Sequence, residues 1–364
     1  MTTLAEAIAS PIRTVSSRVE LVDALGNPVR DIAVDSATVS YKGEAAQMWG
    51  GSLTVSDRSL VPTGPDSPLD PRARLRVRLW WRIWTGGAWS EIPVGTMYPS
   101  DIDARAVPAG ASMSIPLRDV LEEAQRGGYR GSTVQLGGMT VGAALRAIFE
   151  RIMPDAVLEI APSTVVLPSP YEVGGGDRSP QQDWTEIASL EPGWRVWSDR
   201  MGVVHGGPVP QPQTSIDWTE GPGCVVTELG RDVTYSSMVN RVVCRSTSPE
   251  VNPPVVGVAE DSDPGSSTYV GRVVWQADDI SSDAVTTVEA ATNMARATYE
   301  RYRRPLETVQ ITIPQRGDLD YRQPCSLASA AVGVAGDYLV SSWDLTLSRE
   351  PRQMTVTMMQ RSIQ

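Results

Sequence analysis

The stretch RVELVDALGNPVRDIAV, residues 18–34, decides how the fold is read. Apolar and polar residues alternate on both sides of Gly26-Asn27-Pro28, the pattern of two antiparallel strands joined by a tight turn. The alternation continues outward in ATVSY (37–41) and GSLTVSD (51–57). A loop rich in Pro, Gly and Asp, VPTGPDSPLDP (61–71), comes next. ARLRVRLWWRIW (73–84) then alternates at first and becomes apolar on both faces, as a buried strand does. With AWSEIPVGTMYPSDIDA (88–104) and ASMSIPL (111–117), about seven strands are predicted. One β-barrel or sandwich fits residues 16–117. Residues 1–15, weakly periodic and carrying Pro11, read as an N-terminal arm.

The middle changes character. PLRDVLEEAQRGG (116–128) predicts a short helix with Leu117, Val120, Leu121 and Ala124 on one face and Gly127 as its stop. TVGAALRAIFERIMP (140–154) predicts a second, capped by Thr140, ended by Pro154, with Val141, Leu145, Ile148 and Ile152 aligned. SPQQDWTEIASLE (179–191) predicts a third, with Ser179 as cap and Pro180 at the first helical position. WRVWSDRMGVVHGG (194–207) follows as a hairpin, and residues 118–215 form a small α+β module. The β pattern returns from Cys224, and the stretch around 246–268 reads as a long loop. A helix is predicted near 283–303, with Asp283 as cap and Val285, Val288, Ala291, Met294 or Ala295, Thr298 and Tyr302 at helical spacing. Four more β segments close the chain. The fold class is mainly β with an α+β insertion, in the order β, α+β, β with one helix.

A chain of 364 residues predicts two or three compact units. Its net charge of −11 keeps it soluble and argues against a DNA-grasping protein, which needs basic stripes. Lys42 is its only lysine and Phe149 its only phenylalanine, beside 11 Trp, a bias that reads as the codon usage of a GC-rich genome. Cys224, Cys244 and Cys325 are too few and too scattered for a disulfide framework or a zinc site, and read as reduced, packed thiols. No signal peptide opens the sequence, and no run approaches the ~18 apolar residues of a membrane span. Synthesis and folding in a cytoplasm follow.

Chemistry finds little footing. His205 is the sole histidine, a short turn away from Ser198 and Asp199, the residue types of a nucleophilic triad. Strand geometry places His205 roughly opposite Trp194–Val196, away from Ser198, and no G-x-S-x-G elbow exists. Asp261 and Asp263 have a calcium-loop spacing without the rest of that loop, so a solvated acidic loop is expected. The RGD at 316–318 reads as a turn, and GGGD (174–177) lacks the lysine of a phosphate loop. Glu122 and Glu123 diverge on a helix; Glu159 and Glu172 are single carboxylates on strands. Trp80, Trp81, Trp84 and Trp89 read as core or subunit contact ahead of a sugar platform. No catalytic, cofactor or metal residue is assigned.

Three passages carry a resemblance. The first is RVELVDALGNPVRDIAVDSATVSY, with GSLTVSD and PLDPRARLRVRLWW after it. The second is DWTEIASLEPGWRVWSDRMGVVHGGPVP, a Trp-bearing helix, a hairpin with a polar turn and a Pro-marked exit. The third is the closing hairpin, GDYLVSSWDLTLSREPRQMTVTMMQR. Together they resemble the tail hub (baseplate hub) proteins of long-tailed phages, often minor tail proteins of actinobacterial phages. The resemblance implies two tube-type β-barrel domains, residues 16–117 and 216–364, with the α+β module between them. It implies a homotrimer forming a pseudo-sixfold ring at the distal end of the tail tube, in a virion tail assembled in the host cytoplasm. The implied partners are distal tail or tail-tube proteins, tip or fibre proteins and the tape measure protein, while genomic DNA passes the lumen without specific binding. A carbohydrate-binding or host-adhesion tail component is the alternative, and a cell-wall hydrolase a more distant one.

Overall fold

The computed structural model of the chain describes residues 2–10, 13–43, 45, 47–107, 110–129, 132–174, 178–210, 212, 214–219, 225–248, 251–277, 279–282, 285–303, 306–348 and 352–360. Strands take 43% of the chain and helices 17%, which makes the protein mainly β. It divides into two compact units, residues 1–229 with 310–358, and residues 230–309 with 359–364.

Within the arm, α1 (Leu4–Ala9) is closed by a capping box between Thr3 and Glu6. Eight strands follow where about seven are predicted: β1 (Val15–Val22), β2 (Pro28–Ile32), β3 (Ser36–Lys42), β4 (Trp49–Val55), β5 (Arg76–Trp84), β6 (Trp89–Pro99), β7 (Asp103–Val107) and β8 (Gly110–Asp119). The hairpin of residues 18–34 forms as read, with Val19 opposite Ile32 and Glu20 opposite Asp31. β1 also pairs antiparallel with β5. Val77, Leu79, Trp81 and Ile83 of β5 are fully buried. Its alternate positions Arg76 and Arg78 are buried too, so the strand is covered on both faces. Glu20, itself buried, accepts from Arg18 (2.7 Å), Trp80 Nε1 (2.9 Å) and Arg78 (3.4 Å). Buried charge is tolerated where it is paired and hydrogen-bonded in this way.

The α+β module begins with α2 (Val120–Gly127), capped by Asp119. Leu117, predicted on this helix, lies instead in β8, because the ladder to Gly51 of β4 holds it extended. β9 (Val134–Gln135) precedes α3 (Val141–Ile152), which has Thr140 as cap and all four predicted face residues buried. β10 (Leu158–Ile160) and β11 (Glu172–Val173) lead to α4 (Pro180–Ser189), whose Ser179–Gln182 capping box and leading Pro180 match the prediction. β12 (Trp194–Ser198) and β13 (Val204–Pro208) complete a three-stranded sheet with β10. The helices meet over a dense core in which Phe149 lies 5.0 Å from Trp184, ring to ring. β14 (Ile216–Thr219) ends the segment, running parallel to a later strand.

β15 (Glu228–Thr234) leads into the smaller unit. Its sheet has β16 (Arg241–Ser246) between β17 (Val256–Glu260), antiparallel, and β18 (Ile280–Ser282), parallel. β17 lies inside the stretch predicted as loop. The misreading has a physical cause: Gly257 and Ala259 turn inward while Val256 and Val258 stay exposed, the inverse of the usual alternation. α5 (Val288–Tyr302) begins five residues later than predicted and is capped by Thr287. Asp283, the predicted cap, lies outside the described residues, as do Cys224 and residues 175–177 of GGGD. Val285 joins the core ahead of the helix, Ala291 and Ala295 are fully buried, and Val288, predicted on the buried face, is exposed. The buried Asn240 organises the loop after β17, donating to Thr268 O (2.8 Å) and Val273 O (2.6 Å) and accepting from Trp275 N (2.7 Å).

The chain returns through β19 (Leu306–Pro314), β20 (Pro324–Ser329), β21 (Val334–Leu347) and β22 (Gln353–Gln360). β21 is 14 residues long and has three partners, β22, β20 and β3. Residues 334–339 pair with β20, and residues 342–347 pair antiparallel with β3. First and last β regions thereby join a single 14-stranded sheet, and residues 310–358 pack with the N-terminal strands, a different division from the expected boundary at 216.

Candidate functional site

The hairpin that carries the lone histidine is where the α+β module fastens to the large sheet. Its turn is built by Asp199, whose Oδ1 accepts from Met201 N (2.8 Å) and Val203 N (2.9 Å). Gly202 sits at φ +80° with Thr96 against it, so a side chain there meets both backbone strain and the neighbouring strand. Ser198 pairs with Val204 and Trp197 with His205, one residue away from the predicted register for the histidine. Paired residues share a face, so Ser198 and His205 lie on opposite faces.

The serine is therefore separated from the histidine. His205 stacks on Trp197 at 5.2 Å and reaches Asp199 Oδ2 (3.2 Å) and Glu159 Oε2 (3.5 Å). Burial pushes the Asp199 carboxyl up, but the His205 ring and the Val203 and Met201 N–H groups outweigh it and hold the group below its ordinary value. Ser198 is buried and donates to Asp119 Oδ1 (2.7 Å), not to the histidine. A nucleophile without its base does not make a triad.

Asp119 is the residue that sequence reading missed. It is completely buried and accepts four hydrogen bonds: Leu121 N (2.9 Å), Met48 N (2.8 Å), Trp49 N (3.1 Å) and Ser198 Oγ. Burial pushes its carboxyl above the ordinary value, and the four donors pull against that. One carboxylate thus ties the start of β4, the N-terminus of α2 and the end of β12. Two arginines of the same hairpin reach further. Arg200 donates to Pro93 O (3.2 Å), Gly317 O (2.5 Å), Leu319 O and Asp320 Oδ1 (2.8 Å). Arg195 donates to Gly43 O (2.8 Å) and Tyr321 Oη (3.1 Å).

A cavity of about 520 Å³ opens beside this junction. Tyr41, Trp49, Trp343, Tyr321 and Trp197 supply its aromatic lining, with Asp199, Arg200 and Asp320 among its polar residues. Tyr41 is the centre of the cluster, 4.5 Å from Trp49, 5.8 Å from Trp343 and 6.2 Å from Tyr321. Met201 and Pro210, also in the lining, are exposed.

The other predicted residues stay apart. Glu122 pairs with Arg126 (3.2 Å), Glu123 with Arg76 (3.2 Å), and Glu172 bonds Gln135 across its strand pair. Asp261 accepts from Ser266, Thr268 and the N–H of Asp263 within its own turn. In the RGD turn, Arg316 pairs with Asp318 and Gly317 lies against Trp81. Trp81 is core, whereas Trp84 and Trp89 are exposed and meet edge to face at 5.5 Å, which offers no flat platform for a sugar. Cys244 and Cys325 are buried free thiols. Among the described residues no three His, Cys, Asp or Glu side chains converge as a metal site would require.

No protein-family model matches the sequence, and no curated protein matches it. Solved structures do. A tail protein from Neisseria meningitidis MC58 superposes with a TM-score of 0.67 at 14% identity, covering 96% of this chain and 98% of its own. The 43 kDa tail protein of prophage MuSo2 from Shewanella oneidensis gives 0.63 at 12%, covering 94% and 98%. Prophage tail protein gp18 from Listeria monocytogenes EGD-e gives 0.57 at 12%, covering 95% of each. From its arm to its closing hairpin, the chain has the fold of phage and prophage tail proteins.

Proposed function

We propose that the chain is a structural component of a phage tail: the hub at the distal end of the tail tube, a homotrimer whose pseudo-sixfold ring links the tube to tip or fibre proteins. The observation that carries this reading is correspondence in fold over nearly the whole length of several tail proteins, not over one shared domain. Its role is mechanical and not catalytic. The separation of Ser198 from His205, and the use of Asp119, Arg195 and Arg200 to bind elements together, support that. The net charge of −11 suits a lumen that DNA crosses without sticking.

Native mass spectrometry of the purified full chain tests the assembly. A species at three times the 39.3 kDa chain mass is expected. A chain that stays monomeric at all concentrations, even beside tail-tube protein, contradicts it. A zymogram on host cell walls tests the enzymatic alternative, and lysis lost in His205→Gln is the result that would revive it.

A further inference from the structure

The strand path of the large sheet ends in β15 on one side and β2 on the other, and among the described residues each has a neighbour on one side only. Both strands are bare on their faces as well. Pro28, Val29, Arg30 and Asp31 of β2 are all exposed, although successive residues of a strand point to opposite faces. β15 has no buried residue, and its Glu228, Gly230, Arg231 and Asp232 are exposed. Such edges offer unpaired N–H and C=O groups to another chain. Pro28 removes one donor, at the first residue of β2, and leaves the rest of that edge open.

Charge indicates what fits. β2 carries Val29, Arg30 and Asp31, and β15 carries Arg231, Asp232 and Val233. Laid antiparallel with Val29 opposite Val233, Arg30 meets Asp232 and Asp31 meets Arg231, so unlike charges oppose on both faces. All of β2 then lies against β15, from Thr234 to Gly230. No other register, parallel or antiparallel, sets both charges of β2 against unlike charges of β15. Within the chain Asp31 already accepts from Arg18 (3.0 Å) and Glu307 from Arg231 (2.8 Å), so the contact completes a line of four alternating charges. β2 set against β2 also balances its charges, but that pairing closes a two-fold dimer and stops. Only the pairing of unlike ends carries on around a ring. We propose that β2 of one copy pairs antiparallel with β15 of the next, Arg30 on Asp232 and Asp31 on Arg231, so that the sheet continues from subunit to subunit. The pairing rests on the reading of the chain as a trimeric hub and supplies its contact.

The full-length chain with Val29→Cys and Val233→Cys, mildly oxidised and run under denaturing conditions without reductant, tests the register. Covalent trimers are expected, because opposed residues of an antiparallel pair stand within disulfide range. Val29→Cys with Glu228→Cys, five residues out of register, is expected to give none, and the unsubstituted chain sets the background of the natural thiols. Arg30→Asp and Asp232→Arg, both at exposed positions, are each expected to raise the concentration needed for assembly about fivefold, and the two together to restore it. Trimers that form without the cross-link and ignore both reversals overturn the pairing and leave the hub reading intact. A closed dimer in place of a trimer overturns it in favour of β2 self-pairing. Chains that never associate overturn the pairing and the trimer together.

Discussion

In the α+β module, α3 and α4 pack through Phe149, Trp184, Leu145, Ile148 and Ile187, all buried and most of them large. In the smaller unit, α5 packs on its sheet through Ala291, Ala295, Cys244 and the bare backbone of Gly257. Both are helices on a sheet, yet one gains stability from volume and the other from closeness. Burial of apolar surface contributes about 25 cal/mol per Å² and fails when side chains shrink. Close approach depends on the absence of side chains and fails when they grow. The two regions should break under opposite substitutions.

The largest effect is expected from Gly257→Ala. A Cβ there would stand 2.2 Å from Thr292 N and 2.3 Å from Ala291 C, both backbone atoms that cannot swing aside. The cost is on the order of 5 kcal/mol, enough to open a small unit. Hydrogen exchange should show lost protection in residues 230–309 and none in α3 or α4; unchanged protection in β16 and α5 would break the comparison. Next comes Trp184→Ala, expected to cost about 3–5 kcal/mol in chemical denaturation and to loosen α3 and α4 while sparing α5.

Asp119→Asn should follow at about 3 kcal/mol, because an amide nitrogen then faces donors that a carboxylate had satisfied. Its loss should loosen α2 and the β12–β13 hairpin together, and a loss confined to α2 would reduce Asp119 to an ordinary cap. The smallest effect is chemical. Burial pushes the Cys325 thiol up to about 12 and raises Cys244 as well, so neither reacts at pH 8 in the folded state. Labelling mapped by mass spectrometry should nonetheless find Cys244 modified before Cys325, since the smaller core opens more readily. Equal rates would erase the distinction.

Legibility in the sequence follows the same divide. The module was readable because its signals are local: Thr140 and Ser179 as caps, Pro180 at the first turn, apolar residues every three or four positions. The smaller unit was readable in part. Spacing revealed α5, but β17 was hidden because its inward positions are Gly257 and Ala259, which carry no hydrophobic signal. The candidate site was legible as a hairpin and not as a junction. Ser198 finds its partner 79 residues back, and Arg200 finds carbonyls and a carboxylate 117 to 120 residues on. Polar residues gain such roles from topology, and no local pattern announces them. The pairing of β21 with β3 is of the same kind, a contact between chain ends that local alternation leaves open.

The central proposal is that this chain is a structural component of a phage tail, the hub at the end of its tube. Electron microscopy of the purified full-length chain, alone and mixed with tail-tube protein, tests it most directly. Trimeric rings of pseudo-sixfold outline that cap the tube at one end are the predicted result. Monodisperse single chains that never associate with the tube would contradict it.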